Sequence, residues 1–354
     1  MTIDSLWYTR CPLPTAFGVA VELGLLDAEF AADGIRIQSL AAATDVAVRQ
    51  SHFDHSQANS FRHGGNGPPL VSRSRGADLK LIGLSWNDSV KPLLVMPGRG
   101  IRSVADLKGK RISIPVRAGD SIDFWKATAL RGLEVALRSA GMTLNDVIPT
   151  TVSTNRAFID DATTSTSPTA TLWDARFMLG HQREEAFALI RGEVDALYSQ
   201  GAVSAIVQGF TGAIALTDNS SHKDLRDRVN NDAPLAFTVS GRLLDERPDL
   251  VSRAMACVLQ AAGWACAHER EAKRIIAADT GLAEELVGSA FSPGVHRQLE
   301  VDLRPDWVEA LKIQHDHLLR QGFLKEAVDF DAFVDHGALN GARALLKRKP
   351  ALAD

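Results

Sequence analysis

The stretch Ser103-Val104-Ala105-Asp106-Leu107-Lys108-Gly109-Lys110-Arg111-Ile112-Ser113-Ile114 decides the fold class. Ser103 can cap a short helix, and Asp106 puts an acid in its first turn, where the helix dipole favours negative charge. Gly109 supplies a helix stop. Arg111-Ile112-Ser113-Ile114 then alternates polar and apolar residues, which is the period of a strand. The same grammar returns at Glu184–Ile190, a helical stretch stopped by Gly192 and followed by a strand at Val194–Tyr198. Working outward, strands are expected at Ser5–Tyr8, Ile35–Leu40, Leu79–Leu84 and Leu93–Met96. A helix is expected from about Thr15 to Leu25, with Phe17, Val21 and Leu25 on one face. A longer one is expected from Phe124 to Ala140, carrying Trp125, Ala129, Leu133 and Leu137 and stopped by Gly141. From Arg247 onward the pattern is mostly helical. Alternating strands and helices predict an α/β fold with mixed, mostly parallel sheets flanked by helices. The 354 residues suit two lobes, and the cleft between lobes is the default ligand site.

Composition narrows the function. Hydrophobic residues make up 45% of the chain and charged ones 23%, enough to bury a core. A net charge of −4 argues against a protein built to hold nucleic-acid phosphates. Three cysteines, Cys11, Cys257 and Cys266, exclude a disulfide scaffold, and none lies in a C-x-x-C pair. Cys257 and Cys266 sit among alanines on a helical pattern and read as core. The N-terminus has no basic stretch followed by an apolar run, so a cytoplasmic protein is expected. The uncharged run Ala196–Thr217 is interrupted by Ser199, Gln200, Ser204, Gln208 and Thr211, and reads as strand and buried helix rather than a membrane span. His52, His55, His63 and Asp54 could form a metal set, but the glycine-rich loop at Asn59–Gly67 speaks against the geometry, and no metal is expected. The Thr/Ser-rich stretch at 160–171 reads as a loop that could act as a lid.

Two segments carry a family resemblance. Asp106–Ile112 and Gly192–Tyr198 resemble signatures of the type II periplasmic-binding-protein fold, in its sulfonate- and nitrate-binding, thiamine-precursor-like branch. More narrowly, Tyr8-Thr9-Arg10-Cys11-Pro12-Leu13-Pro14 resembles the cysteine segment of the 2′-hydroxybiphenyl-2-sulfinate desulfinases. His52 followed ten residues later by Arg62-His63-Gly64-Gly65-Asn66-Gly67-Pro68-Pro69 is similar to that family's His…Arg-x-Gly-Gly-x-x-Pro-Pro motif. The resemblance implies a catalytic set of Cys11, His52, Arg62 and Gly65. It implies a pocket role for Trp125, within Trp-x-Ala-x-Ala-Leu, and the chemistry it implies adds Phe53 and Gly64 as expected substrate contacts. It further implies one lobe from residues 1–98 and 235–354 and a second from 99–234. Two departures bear on the substrate's ring: Gln200 stands where the family has tryptophan, and His55 replaces an aromatic residue between the histidine and arginine.

The implied activity is a cofactor-free hydrolysis of an aryl sulfinate to sulfite and a phenolic product, by a monomer. The reaction needs a cation for the sulfinate, and the guanidinium fork of Arg62 could take two oxygens. It needs backbone donors, which Gly64-Gly65 can bring close. It needs a thiol, either as proton donor or as nucleophile, with His52 orienting it. Cys11 is expected at a strand-to-helix junction, where a helix N-terminus favours a thiolate. Phe53 and Trp125 would wall a flat ring. The rival reading is a solute-binding protein for sulfonates or aromatic acids. A thiamine-pyrimidine synthase-like enzyme is a further one, although the cysteine-rich motif of that family is missing.

Overall fold

The computed structural model describes residues 3–155 and 180–348. Ten strands are placed: β1 (Ser5–Arg10), β2 (Arg36–Ser39), β3 (Ser60–Gly64), β4 (Leu79–Ser85), β5 (Pro92–Val95), β6 (Arg111–Arg117), β7 (Ile148–Thr154), β8 (Ala196–Tyr198), β9 (Ile214–Asp218) and β10 (Leu235–Ser240). They form two five-stranded sheets, ordered β2-β1-β3-β10-β4 and β7-β6-β8-β5-β9. The helices that matter below are α1 (Ala16–Glu22), α2 (Leu25–Phe30), α3 (Val46–Asp54), α4 (Gly67–Ser74) and α5 (Phe124–Ser139).

Each sheet is parallel except for one strand. β1 runs parallel to β2 and β3, and β6 runs parallel to β7 and β8. β10 is antiparallel to both its neighbours, and so is β5. These two are the strands entered straight after the chain crosses between sheets, at 86–91 and at 219–234. A helical crossover returns the chain to the far end of a sheet, whereas a direct crossing enters at the near end and so runs the other way. The carboxyl ends of the parallel strands in both sheets therefore face the crossings, which is where open α/β sheets bind ligands. Cys11 follows β1, Gly65–Gly67 follows β3, and Phe124 follows β6.

The first crossing lies ahead of the expected boundary at 98. The run Leu93-Leu94-Val95 is a strand of the second sheet, and Pro97-Gly98-Arg99-Gly100 is a turn within that lobe. The helix expected over 15–25 is broken in two: Thr15 caps α1, and Gly24, with φ of +66°, restarts the chain as α2. At the deciding stretch Ser103 and Asp106 form a reciprocal capping box around a single 3₁₀ turn, Val104–Leu107, before β6. Cys257 is buried but Cys266 is exposed. Nine residues at 100° each turn a helix by half a revolution beyond whole turns, so the two cysteines face opposite ways on Pro248–Ala267. That helix is long and apolar enough to cross a membrane, but half of its apolar window is buried, and it packs on α1 and on the helix Gly337–Leu346. The expected lid at 160–171 lies outside the described residues.

Candidate active site

Strand register brings the site together. In the parallel β1–β3 pair Thr9 lies beside Arg62 and Arg10 beside His63. Thr9 and Arg62 thus share one face of the sheet, the face on which α3 presents His52. Arg10 serves the opposite face, where it pairs with Glu22 at 2.9 Å and with Asp279. Burial raises the Asp279 carboxyl to about 6 despite that cation.

Cys11, half-buried, sits just past β1 with its N–H donated to the His63 carbonyl at 3.2 Å. Its sulfur lies 3.7 Å from His52 Nε2 and 3.6 Å from Arg62 Nη2. His52 is buried, with Nδ1 2.7 Å from Thr9 Oγ1. That contact fixes the ring and leaves Nε2 to the sulfur. Burial first, and then the charge of Arg62, pushes the His52 pKa well below its usual 6.5, so the imidazole is neutral at pH 7.

Arg62 is also buried, and its N–H groups are largely assigned. Nε donates to the His52 carbonyl at 2.9 Å and Nη1 to the Gly65 carbonyl at 2.8 Å. Only the Nη2 edge faces Cys11. Two of its five N–H donors thus hold backbone, one on α3 and one on the glycine loop, and Nη1 and Nη2 each keep a further N–H. Gly64 is required by closeness. A Cβ there would stand 2.4 Å from the Cys11 sulfur. The helix α1 begins only at Ala16, capped by its own Thr15, so the groups beside the sulfur are a histidine and an arginine, not a helix terminus.

The aromatic wall differs from expectation by one residue. Phe53 meets His52 edge-on, with centroids 4.9 Å apart, and stacks on Phe124 across 6.2 Å. Phe124 opens α5 in the second lobe, so this pair spans the cleft. Trp125 turns into the core instead. It is 1% exposed, its Nε1 donates to Glu185 Oε2 at 2.8 Å, and its ring meets His181 at 4.2 Å. Sequence reasoning missed Phe124 although its place was readable, since it directly follows the cap Asp123 and must emerge at the strand-end side.

The other histidines do not join a metal set. His55 ends α3 in the left-handed region and contacts the Phe53 carbonyl and Ser72 through Nδ1, both at 3.2 Å. His63 points to the far face of β3, bonded to Ser85 at 3.0 Å and stacked on Phe237. Burial holds both near 3, and both are neutral. Among the described residues no group of three or more His, Cys, Asp or Glu could hold a metal ion. Gln200 accepts from the Tyr198 hydroxyl at 3.2 Å, and Tyr198 in turn accepts from Asn230 Nδ2 at 3.0 Å.

No family model matches the chain. It is 28% identical over 358 residues, 96% of this chain and 93% of the relative, to 2′-hydroxybiphenyl-2-sulfinate desulfinase of Rhodococcus erythropolis, and equally to that of Rhodococcus qingshengii. Among solved structures, a cysteine-to-serine mutant of DszB in complex with biphenyl-2-sulfinic acid is 28% identical, with a TM-score of 0.76 over 98% of this chain and 99% of that one. The periplasmic aliphatic sulphonate binding protein SsuA from Escherichia coli shares the fold at 16% identity, with a TM-score of 0.64 over 94% and 92% of the two chains. Together these findings make the chain a relative of the 2′-hydroxybiphenyl-2-sulfinate desulfinases, built on the two-lobed type II periplasmic-binding-protein fold.

Proposed function

We propose that the protein is a desulfinase that cleaves the carbon–sulfur bond of an aryl sulfinate related to 2′-hydroxybiphenyl-2-sulfinate. The observation that carries this reading is the convergence of His52 Nε2 and Arg62 Nη2 on the Cys11 sulfur, at the strand ends that face the crossings. A plain solute receptor has no need of a thiol held between a neutral base and a cation. The likeness to desulfinases over 96% of the chain supports the same reading.

The reaction balances without a cofactor: aryl sulfinate plus water gives arene plus hydrogensulfite. In the route the electrostatics favour, the Cys11 S–H proton moves to the ring carbon bearing sulfur. The C–S bonding pair returns to the ring, and the sulfur group departs and is hydrated. The proton released by that hydration restores the thiol. Arg62 stabilises the transient negative charge on Cys11, and neutral His52 Nε2 orients the S–H and can relay the returning proton. A route in which Cys11 first attacks sulfur would charge His52, which burial and Arg62 both oppose. Phe53 and Phe124 would hold the ring. The same proposal places the protein in the cytoplasm as a monomer, with a small organosulfur anion as its ligand.

Purified protein mixed with 2-(2-hydroxyphenyl)benzenesulfinate should release sulfite and 2-hydroxybiphenyl in equal amounts. Tight binding of the anion with no sulfite after prolonged incubation would instead support the receptor reading.

A further inference from the structure

The two chain crossings meet beside the glycine loop, and a side chain there ties them to the site. We infer that Asn231 is a positioning residue for catalysis: it fixes the backbone of Gly65–Gly67 and thereby the guanidinium of Arg62. Its link to turnover rests on the desulfinase reading.

Asn231 is buried on the second crossing, at 219–234. Its Oδ1 accepts the Gly67 N–H at 2.8 Å, and its backbone carbonyl accepts the Asn66 N–H at 2.8 Å. The amide covers Gly65 so closely that a Cβ there would stand 2.6 Å from Nδ2 and 2.8 Å from Oδ1. The Gly65 carbonyl takes Arg62 Nη1, whose partner nitrogen Nη2 faces Cys11. Three links therefore run from Asn231 to the reacting sulfur. Positional errors of about 1 Å at such a centre cost on the order of a hundredfold in rate.

Asn231 is itself held from both sides. Asn230 Nδ2 donates to the Thr128 carbonyl at 3.1 Å and to the Tyr198 hydroxyl at 3.0 Å, both in the second lobe. Asp232 pairs with Lys91 at 3.4 Å and bonds to Ser89, both on the first crossing and all buried. Asn66 Nδ2 closes the strap onto the Asn230 and Pro234 carbonyls, each at 2.9 Å. The strap thus references the glycine loop to the second lobe, where Phe124 offers its ring.

The test uses Asn231→Ala, Asn231→Asp and the pair Gly65→Ala with Asn231→Ala, in a Cys266→Ser background so that Cys11 is the accessible thiol. Asp keeps the acceptor for Gly67 but adds charge near the anion. Expected for Ala is a roughly tenfold lower kcat, the loss of one oriented hydrogen bond, with a matching fall in the rate of Cys11 alkylation by iodoacetamide. Asp should restore kcat to within about threefold while raising KM for the anionic substrate several-fold. Gly65→Ala should cost about a hundredfold alone but little more on top of Asn231→Ala, since the clash is with the removed amide. An Asn231→Ala protein with unchanged kcat and alkylation rate, an Asp variant as slow as Ala, or strictly additive losses in the pair would each overturn the inference. If the wild type releases no sulfite, the desulfinase reading fails separately, and Cys11 alkylation still reads the link from Asn231 to the sulfur.

Discussion

Each lobe buries a polar cluster, and the two are finished differently. In the second lobe Glu185 accepts from Ser113 at 2.7 Å, from Trp125 at 2.8 Å and from Gln182 at 3.3 Å. Gln182 also donates to the Tyr198 carbonyl at 2.7 Å and accepts from Ser199 at 2.5 Å. Short bonds satisfy the carboxyl from three directions, and burial lifts its pKa to about 7. In the first lobe, among the described residues, the Cys11 sulfur has two long contacts, 3.6 and 3.7 Å, to groups that are themselves firmly held. Both clusters hold a perturbed titratable group. Only one leaves a reactive atom under-committed at an accessible end of a sheet. A shifted pKa marks burial; an unfinished coordination around a nucleophilic or acidic atom marks chemistry.

The comparison breaks if variants in the two clusters behave alike. The largest expected effect is at Arg62. Arg62→Lys cannot serve the His52 and Gly65 carbonyls and Cys11 together, so kcat/KM should fall by about a thousandfold while a folded protein remains. Gly64→Ala comes next: a methyl in the sulfur's seat should cut kcat by roughly a hundredfold, read by steady-state sulfite release. In the opposite cluster Trp125→Phe should cost stability on the order of 1–2 kcal/mol, by denaturant melting, because it strips a donor from buried Glu185. Its kcat should change less than about threefold, whereas Phe124→Ala should raise KM roughly tenfold.

pH sharpens the contrast further. Glu185 has a folded-state pKa above its unfolded value of 4.5, so the folded protein holds the extra proton. Its contribution to stability is present below pH 4.5 and is lost as pH rises through about 7. Glu185→Gln should therefore flatten the decline in stability between pH 5 and pH 8, with the change of slope read by denaturant melts at both ends. His52 shifts the other way. It stays neutral in the fold while the unfolded chain takes up a proton below 6.5, so its contribution is lost as pH falls through that value. Activity should show no acid limb centred at pH 6.5. A kcat profile with a midpoint there would mean that His52 titrates in the folded enzyme.

How much of this was legible in the sequence depended on distance along the chain. Cys11, His52, Arg62 and Gly64 lie within sixty residues and carry their spacing openly, and register in the β1–β3 pair then gathers them on one face. The sequence assigns Thr9 no role, because its bond to His52 depends on how α3 docks over β1. Trp125 rests on the family resemblance of Trp-x-Ala-x-Ala-Leu, which does not single out Phe124. The helix instead turns Trp125 inward to Glu185, sixty residues away. How many donors Arg62 keeps for a ligand is hidden for a similar reason: they can be counted only once the carbonyls of His52 and Gly65 are known to take Nε and Nη1. Cys266 was misread because a run of alanines hides which helix face is buried, although its nine-residue offset from Cys257 already separates the two faces.

The most direct measurement compares wild type with Cys11→Ser, reading sulfite release and calorimetric binding of the aryl sulfinate on the same samples. Serine keeps the size and polarity of the site but is a far weaker proton donor and nucleophile. Unchanged affinity with sulfite release abolished is the expected result. Sulfite release from the serine variant near the wild-type rate would contradict the assignment of the chemistry to Cys11.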